Sequence, residues 1–367
     1  MYPSPLEEGL TGIVTLKEDP VEQDPQMTAI QSCYKAAIPI ARLWEPVDQD
    51  DFSVNLSYRC PKCSQCMECK HRNKVRAMSV QEHRERVVIE ESVTLDLERR
   101  IVTVQLPFMR DPVKYLVDKH RSDSNYDQAI RVYISQCQKE PRVLEGIRKA
   151  HMELIEKGFM VPLESLDEET IRFLNSAPLR HYYLWRVVYK EDSLSTPVRL
   201  VLDPTMSGLN LLLAKGENRI GSLVDIILRN RAMEFAWTSN VTKLYNQLHL
   251  ERAALPYSLF LYHEDLDPSR PPMTFVMRRA WYKVVPTGNQ AGYALELLVE
   301  ATAEEFPAAV EPLTHHRYVD DVVSGAEDPA QAEQIDQSIQ VLAKGGFKFK
   351  HIPDIYLYSC YPVFNQQ

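Results

Sequence analysis

The chain has 367 residues, 44% of them hydrophobic, with 42 basic and 51 acidic side chains and a formal net charge of −9. That hydrophobic content supports a packed core and excludes wholesale disorder. No run of eighteen apolar residues occurs and the chain starts Met1-Tyr2-Pro3-Ser4-Pro5, so neither a membrane span nor a signal peptide is expected. The reading is a soluble, intracellular protein, cytoplasmic or nuclear and not secreted, with no membrane partner. The acidic balance weighs against nucleic-acid binding by the whole surface and leaves room for a local basic cleft.

In chain order, residues 1–57 are rich in Pro, Asp and Glu and read as a linker or partly disordered segment, with one helix near 28–43. Residues 58–110 read as a Cys-rich, basic linker with a helix and a hairpin. Between Tyr58 and Arg86 eight Lys/Arg face three Glu. Ser79-Val80-Gln81-Glu82 is a capping box, in which the Ser side chain takes a backbone N–H and the Glu returns the bond. It predicts a helix from there to about Ser92. Val93–Leu97 and Ile101–Leu106 predict a hairpin. Residues 111–180 read as a helical lead-in, with helices over Asn125–Lys139 and Arg142–Lys157, the second closed by Gly158 as a C′ residue.

From residue 181 to 351 the pattern turns mixed. Strands are expected at Leu184–Lys190, Val198–Asp203, Glu234–Thr238, Tyr257–Tyr262, Thr274–Met277 and Phe347–His351. Helices are expected downstream of Asn240 as far as Glu251, over Gly288–Glu305 and over Pro329–Ala343. His315–Ser324 reads as a hairpin. The fold class is therefore α+β, an antiparallel sheet backed by helices. Residues 352–367 read as an unrelated tail.

Two clusters carry chemistry. Cys60, Cys63, Cys66 and Cys69 stand at two-residue gaps, while Cys33, Cys137 and Cys360 are scattered and read as ordinary thiols. Without a secretion signal the cluster favours metal over disulfides. Zinc on three or four of these thiolates, with His71 as a further ligand, is the favoured reading. An iron–sulfur run spaces its last Cys by three and follows it with Pro, which this chain does not. A reduced, unliganded linker stays open. The neighbouring cations favour thiolate and offer contacts to a nucleic-acid backbone.

The second cluster is Tyr318-Val319-Asp320-Asp321, followed by Val322-Val323. It reads as a hairpin presenting two carboxylates at its turn. Adjacent Asp residues repel, and the strong reason to keep them is a hard divalent cation such as Mg²⁺. Four letters alone recur by chance in unrelated chains.

The surrounding motifs narrow the reading. Trp185-Arg186 is followed by Ser195-Thr196-Pro197-Val198-Arg199, Leu209-Asn210, Ala214-Lys215-Gly216, Lys243-Leu244-Tyr245-Asn246, Gly288-Asn289-Gln290-Ala291 and Gly345-Gly346-Phe347. In this order and spacing the chain resembles the polyprotein of Pao/BEL-type retrotransposons. The likeness runs from Cys60 to about His351 and covers the Cys-rich linker with the fingers and palm of the reverse transcriptase.

The resemblance implies an RNA-directed DNA polymerase using an RNA template, a DNA primer, deoxynucleoside triphosphates and two Mg²⁺ ions. It makes Asp320 the direct ligand and Asp321 a group that tunes the site from the side. It assigns Lys190 and Arg199 to the triphosphate, Tyr245 to the ring that excludes a ribose 2′-OH, Gln290 to the helix under the template–nucleotide pair, and Lys350 to a proton for the leaving pyrophosphate. The plainer readings are solvated strand charges for Lys190, Arg199 and Lys350, a helix core residue for Tyr245 and a satisfied buried amide for Gln290. Protein partners are not indicated.

One position breaks the pattern. Trp237-Thr238-Ser239-Asn240 aligns with the first palm motif, and Asn240 stands where the family has its metal-bridging Asp. An amide offers one neutral oxygen and an NH₂ in place of a charged carboxylate. A polymerase fold with impaired or absent catalysis is therefore expected. The missing protease triplet and the lack of room for a thumb, RNase H or integrase after His351 suggest a fragment, decayed or reused by its host. The alternative function is a non-catalytic remnant that binds RNA or a protein.

Overall fold

A computed structural model of the chain describes residues 79–190, 197–216, 219, 221–231, 235–326 and 333–351. The segment 1–57, the four clustered cysteines and the tail 352–367 lie outside the described residues. Nine α-helices occur among those described: α1 Val80–Glu91, α2 Pro112–His120, α3 Tyr126–Cys137, α4 Pro141–Glu156, α5 Glu168–Ser176, α6 Leu223–Arg231, α7 Thr287–Thr302, α8 Pro307–His315 and α9 Glu333–Lys344. None is long and apolar enough to cross a membrane.

The strands are β1 Val93–Asp96, β2 Ile101–Val104, β3 Met160–Pro162, β4 Trp185–Tyr189, β5 Val198–Leu202, β6 Phe235–Val241, β7 His249–Leu250, β8 Leu259–Tyr262, β9 Met273–Met277, β10 Arg317–Tyr318, β11 Asp321–Ala326 and β12 Phe349–His351. They form four small sheets, ordered β1-β2-β7, β10-β11-β6-β12, β3-β9-β8 and β4-β5. The class is α+β, and every pairing is antiparallel except β2 with β7.

Local chemistry explains the element ends. The capping box of Ser79 and Glu82 forms, with Glu82 N–H donating to Ser79 Oγ and Ser79 N–H to the Glu82 carboxylate. Helix α4 ends at Gly158, whose positive φ of 65° and N–H to the Ile155 carbonyl turn the chain into β3. Asp111 and Asp167 cap α2 and α5 through their side chains.

Helices α2, α5, α6 and α8 are absent from the sequence expectation. All four have nine residues and two start on proline, so they show barely two turns of periodicity. The helix expected downstream of Asn240 is not there. Lys243 takes a positive φ of 50°, Leu244–Gln247 forms one 3₁₀ turn, and the chain enters β7. Tyr245 is accordingly not a helix core residue.

The sheet β10-β11-β6-β12 has two unlike faces. Along β6, Trp237, Ser239 and Val241 are buried while Thr238 is exposed and Asn240 half-buried. Along β11, Val322 and Ser324 are buried, and Asp321 is exposed. The register pairs Val322 with Ser239 and Asp321 with Asn240, so the inner and outer sets coincide across strands. The inner face packs on α7, α8 and α9 through Leu298, Leu313 and Leu342. The outer face stays open. Gly346 closes the turn before β12 at φ 77°, and a Cβ there would meet the Arg100 carbonyl of the β1–β2 turn at 2.1 Å. Only glycine fits.

Candidate functional site

Strands β10 and β11 are joined by the two-residue turn Val319-Asp320, with Tyr318 paired to Asp321. Val319 has φ 58°. A β-branched residue in the left-handed region is strained by about 1–3 kcal/mol and persists only where its surroundings hold it. Those surroundings are visible. Arg317 donates from Nη1 to the Val319 carbonyl at 3.2 Å, and Val241 N–H donates to the Asp320 carbonyl at 2.7 Å. Burial lowers the affinity of the Arg317 guanidinium for its proton. Behind the hairpin, buried His316 meets Ser324 Oγ at 2.6 Å through Nδ1.

The register brings Asn240 beside Asp321, and Asn240 Nδ2 donates to Asp321 Oδ1 at 2.8 Å. Lys350 pairs with Asn240 from the other side, through the backbone of β12. Three of the sequence-derived residues thus occupy adjacent positions in neighbouring strands, next to the turn that carries Asp320. Tyr245 joins them. Burial raises its phenol's pKa, and the Asp320 carboxylate raises it further.

Tyr245 and Val319 line a cleft of about 510 Å³ together with Lys215, Arg219, Asn289 and Arg317. Its wall is organised from α1. The Glu85 carboxylate accepts the backbone N–H groups of Lys215 and Gly216 at 3.0 and 2.9 Å. Gly216 has φ 77°, and a Cβ there would meet Ile89 at 2.4 Å, so this close docking requires glycine. Arg219 is held between Glu90 and Glu296 and lies 5.0 Å over the Tyr293 ring. Nothing in the sequence pattern pointed to Glu85 or Glu90, because both lie in an ordinary amphipathic helix and their partners come about 130 residues later.

The other candidates are placed apart. Lys190 follows β4 and Arg199 sits on β5, both exposed, with the intervening loop outside the described residues. They occupy a different sheet from the Asp pair. Gln290 is buried, and its Nε2 donates to Ser92 Oγ at 2.8 Å and to the Gln105 carbonyl at 2.7 Å. Its amide ties α7 to the β1–β2 hairpin, as the plainer reading has it.

The donor set decides which cation fits. Among the described residues no group of three or more His, Cys, Asp and Glu side chains converges. Asp320 and Asp321 suit one hard cation completed by ligand phosphates or water. A second ion needs a bridging carboxylate, and here an amide N–H occupies an oxygen of Asp321 instead. The residues present fit one Mg²⁺ and do not fit a two-ion clamp.

No model of a known protein family matches the chain, and no curated protein matches it either.

Proposed function

We propose that this chain is the fingers-and-palm part of a Pao/BEL-type reverse transcriptase, an RNA-directed DNA polymerase impaired in catalysis. Asn240 replaces the first metal-binding Asp. The observation that carries the reading is the Asn240–Asp321 pair. An amide in register with the hairpin carboxylate, 2.8 Å from it, sits where a carboxylate would complete a metal site. The cleft beside Asp320, with Tyr245 and Val319 on its wall, supports the same reading.

When bound, Mg²⁺ neutralises the triphosphate and stabilises charge on the transferred phosphoryl group. The chain's own residues supply the rest. Asp320 holds the cation from the turn. The Tyr245 ring narrows the cleft next to it and selects for a nucleotide without a 2′-OH. Arg219 and Arg317 make the cleft positive. Lys190 and Arg199 serve the triphosphate from the β4–β5 hairpin. Zinc on Cys60, Cys63, Cys66 and Cys69, next to the basic stretch, belongs to the same reading.

A second reading is a non-catalytic remnant that binds RNA or a protein. The lack of a three-ligand carboxylate group among the described residues favours it.

Primer extension on an RNA template, with Mg²⁺ or Mn²⁺, separates the two when the chain is compared with Asn240→Asp. The polymerase reading expects little extension from the chain and at least a hundredfold more from Asn240→Asp, abolished again by Asp320→Asn. Extension by neither supports the remnant. Equal extension by both refutes the role given to Asn240.

A further inference from the structure

Helix α6 presents its apolar arc to solvent. Leu223, Val224, Ile227 and Leu228 are 44%, 64%, 38% and 58% exposed. At 100° per residue they fall within about 140° of the helix surface, one continuous stripe. The opposite side is anchored. Ile226 is buried, Asn230 Nδ2 donates to the Ser324 carbonyl of β11, and Arg229 donates to the His315 carbonyl at 3.0 Å. The orientation of the helix is therefore fixed by its polar bonds, with the apolar stripe turned outward. An amphipathic helix normally does the reverse, and contiguous exposed apolar surface of this kind marks a contact site.

A matching segment lies in the same chain. Eight of the sixteen residues in 352–367 are Ile, Leu, Val, Phe or Tyr, and Asp354 is the only charged side chain among them. The segment leaves β12 at His351, which pairs with Ser239. Strand β12 is antiparallel to β6, so the chain departs toward the Phe235 end of β6, the end that α6 feeds. Helix α6 packs on β11 and β10. Two strand spacings and one layer of packing separate β12 from α6, a path of roughly 20–25 Å. Sixteen residues extend to about 55 Å. Residues 1–78 enter the fold elsewhere, through α1.

We propose that residues 352–367 dock on α6, covering Leu223, Val224, Ile227 and Leu228 with their own apolar side chains. This inference is independent of any polymerase activity.

The test uses the full chain at low micromolar concentration, with p-benzoylphenylalanine in place of Val224. Illumination followed by peptide mapping is expected to join position 224 to residues within 352–367 of the same molecule. Capture of a second copy, capture of residues 1–78, or no capture overturns the proposal. A readout without photochemistry accompanies it. Leu357→Asp in the full chain is expected to raise amide exchange over 223–231 about tenfold while leaving β8 and β9 unchanged. Unaltered exchange over 223–231 overturns the proposal as well.

Discussion

The sheets β10-β11-β6-β12 and β3-β9-β8 solve opposite problems. All four residues of β8 are buried, and Phe260 contacts the Trp185 ring at 5.7 Å between centroids. That region is aromatic, covered on both faces, and holds His151 stacked on Tyr262 at 4.0 Å. The sheet β10-β11-β6-β12 is covered on one face and leaves Thr238, Asn240 and Asp321 on the other. The first region carries stability. The second concentrates the residues that could touch a cation or nucleotide, and it holds a strained turn. Chemistry has been placed where burial is least, on a scaffold stabilised elsewhere.

The comparison breaks most readily at Trp185. The ring is 1% exposed and its Nε1 donates to the Leu261 carbonyl at 3.0 Å. Trp185→Ala is expected to cost about 3–5 kcal/mol in chemical denaturation, against less than about 0.5 kcal/mol for Thr238→Ala on the open face. Similar losses at both positions would erase the distinction.

Acid provides the next test. Burial pulls His151 down to about 4 and His181 down to about 3. The unfolded chain protonates both near pH 6.5, so the unfolded state binds more protons across the interval between. The stability they contribute is complete above about pH 6.5 and is lost as pH falls toward 4. The expected loss is on the order of 3 kcal/mol or more for the pair. Nε2 of His151 is buried without a hydrogen-bond partner, so His151→Phe is expected to fold and to flatten the pH dependence of unfolding between pH 4 and 6.5. An unchanged slope would mean that this ring is not buried neutral.

Asn240→Asp has a smaller effect of a different kind. It removes the amide hydrogen bond and puts two carboxylates in direct cross-strand register, a loss of about 1 kcal/mol without metal. Millimolar Mn²⁺ should restore the melting temperature of Asn240→Asp and leave that of the original chain nearly unmoved. The smallest effect is at the turn. Val319→Gly relieves the positive φ and is expected to stabilise by about 0.5–1 kcal/mol after the entropy of glycine is counted. Destabilisation there would show that the Val319 side chain packs in a way its strain conceals.

Much of the α+β pattern was legible before any coordinates. Ser79 and Glu82 announced α1, Gly158 marked the end of α4, and alternation located β4, β5, β6 and β11 to within a few residues. The apposition of Asn240 and Asp321 was inferred only through the resemblance, since local patterns say nothing of residues 81 apart. The nine-residue helices were missed because their periodicity is too brief. The α1 contribution to the cleft was missed because Glu85 reaches backbone amides, and backbone amides leave no mark on a sequence. A helix was expected after Asn240 where Lys243 turns the chain in a left-handed conformation that spacing alone does not reveal.

The central claim is that Asn240 closes the second cation position by donating to Asp321. Mn²⁺ titration followed by electron paramagnetic resonance tests it directly, on the chain as given, Asn240→Asp and Asp320→Asn. The account predicts at most one weak ion for the original chain, two spin-coupled ions for Asn240→Asp in the presence of a nucleoside triphosphate, and none at this site for Asp320→Asn. Two coupled ions bound by the original chain would contradict it.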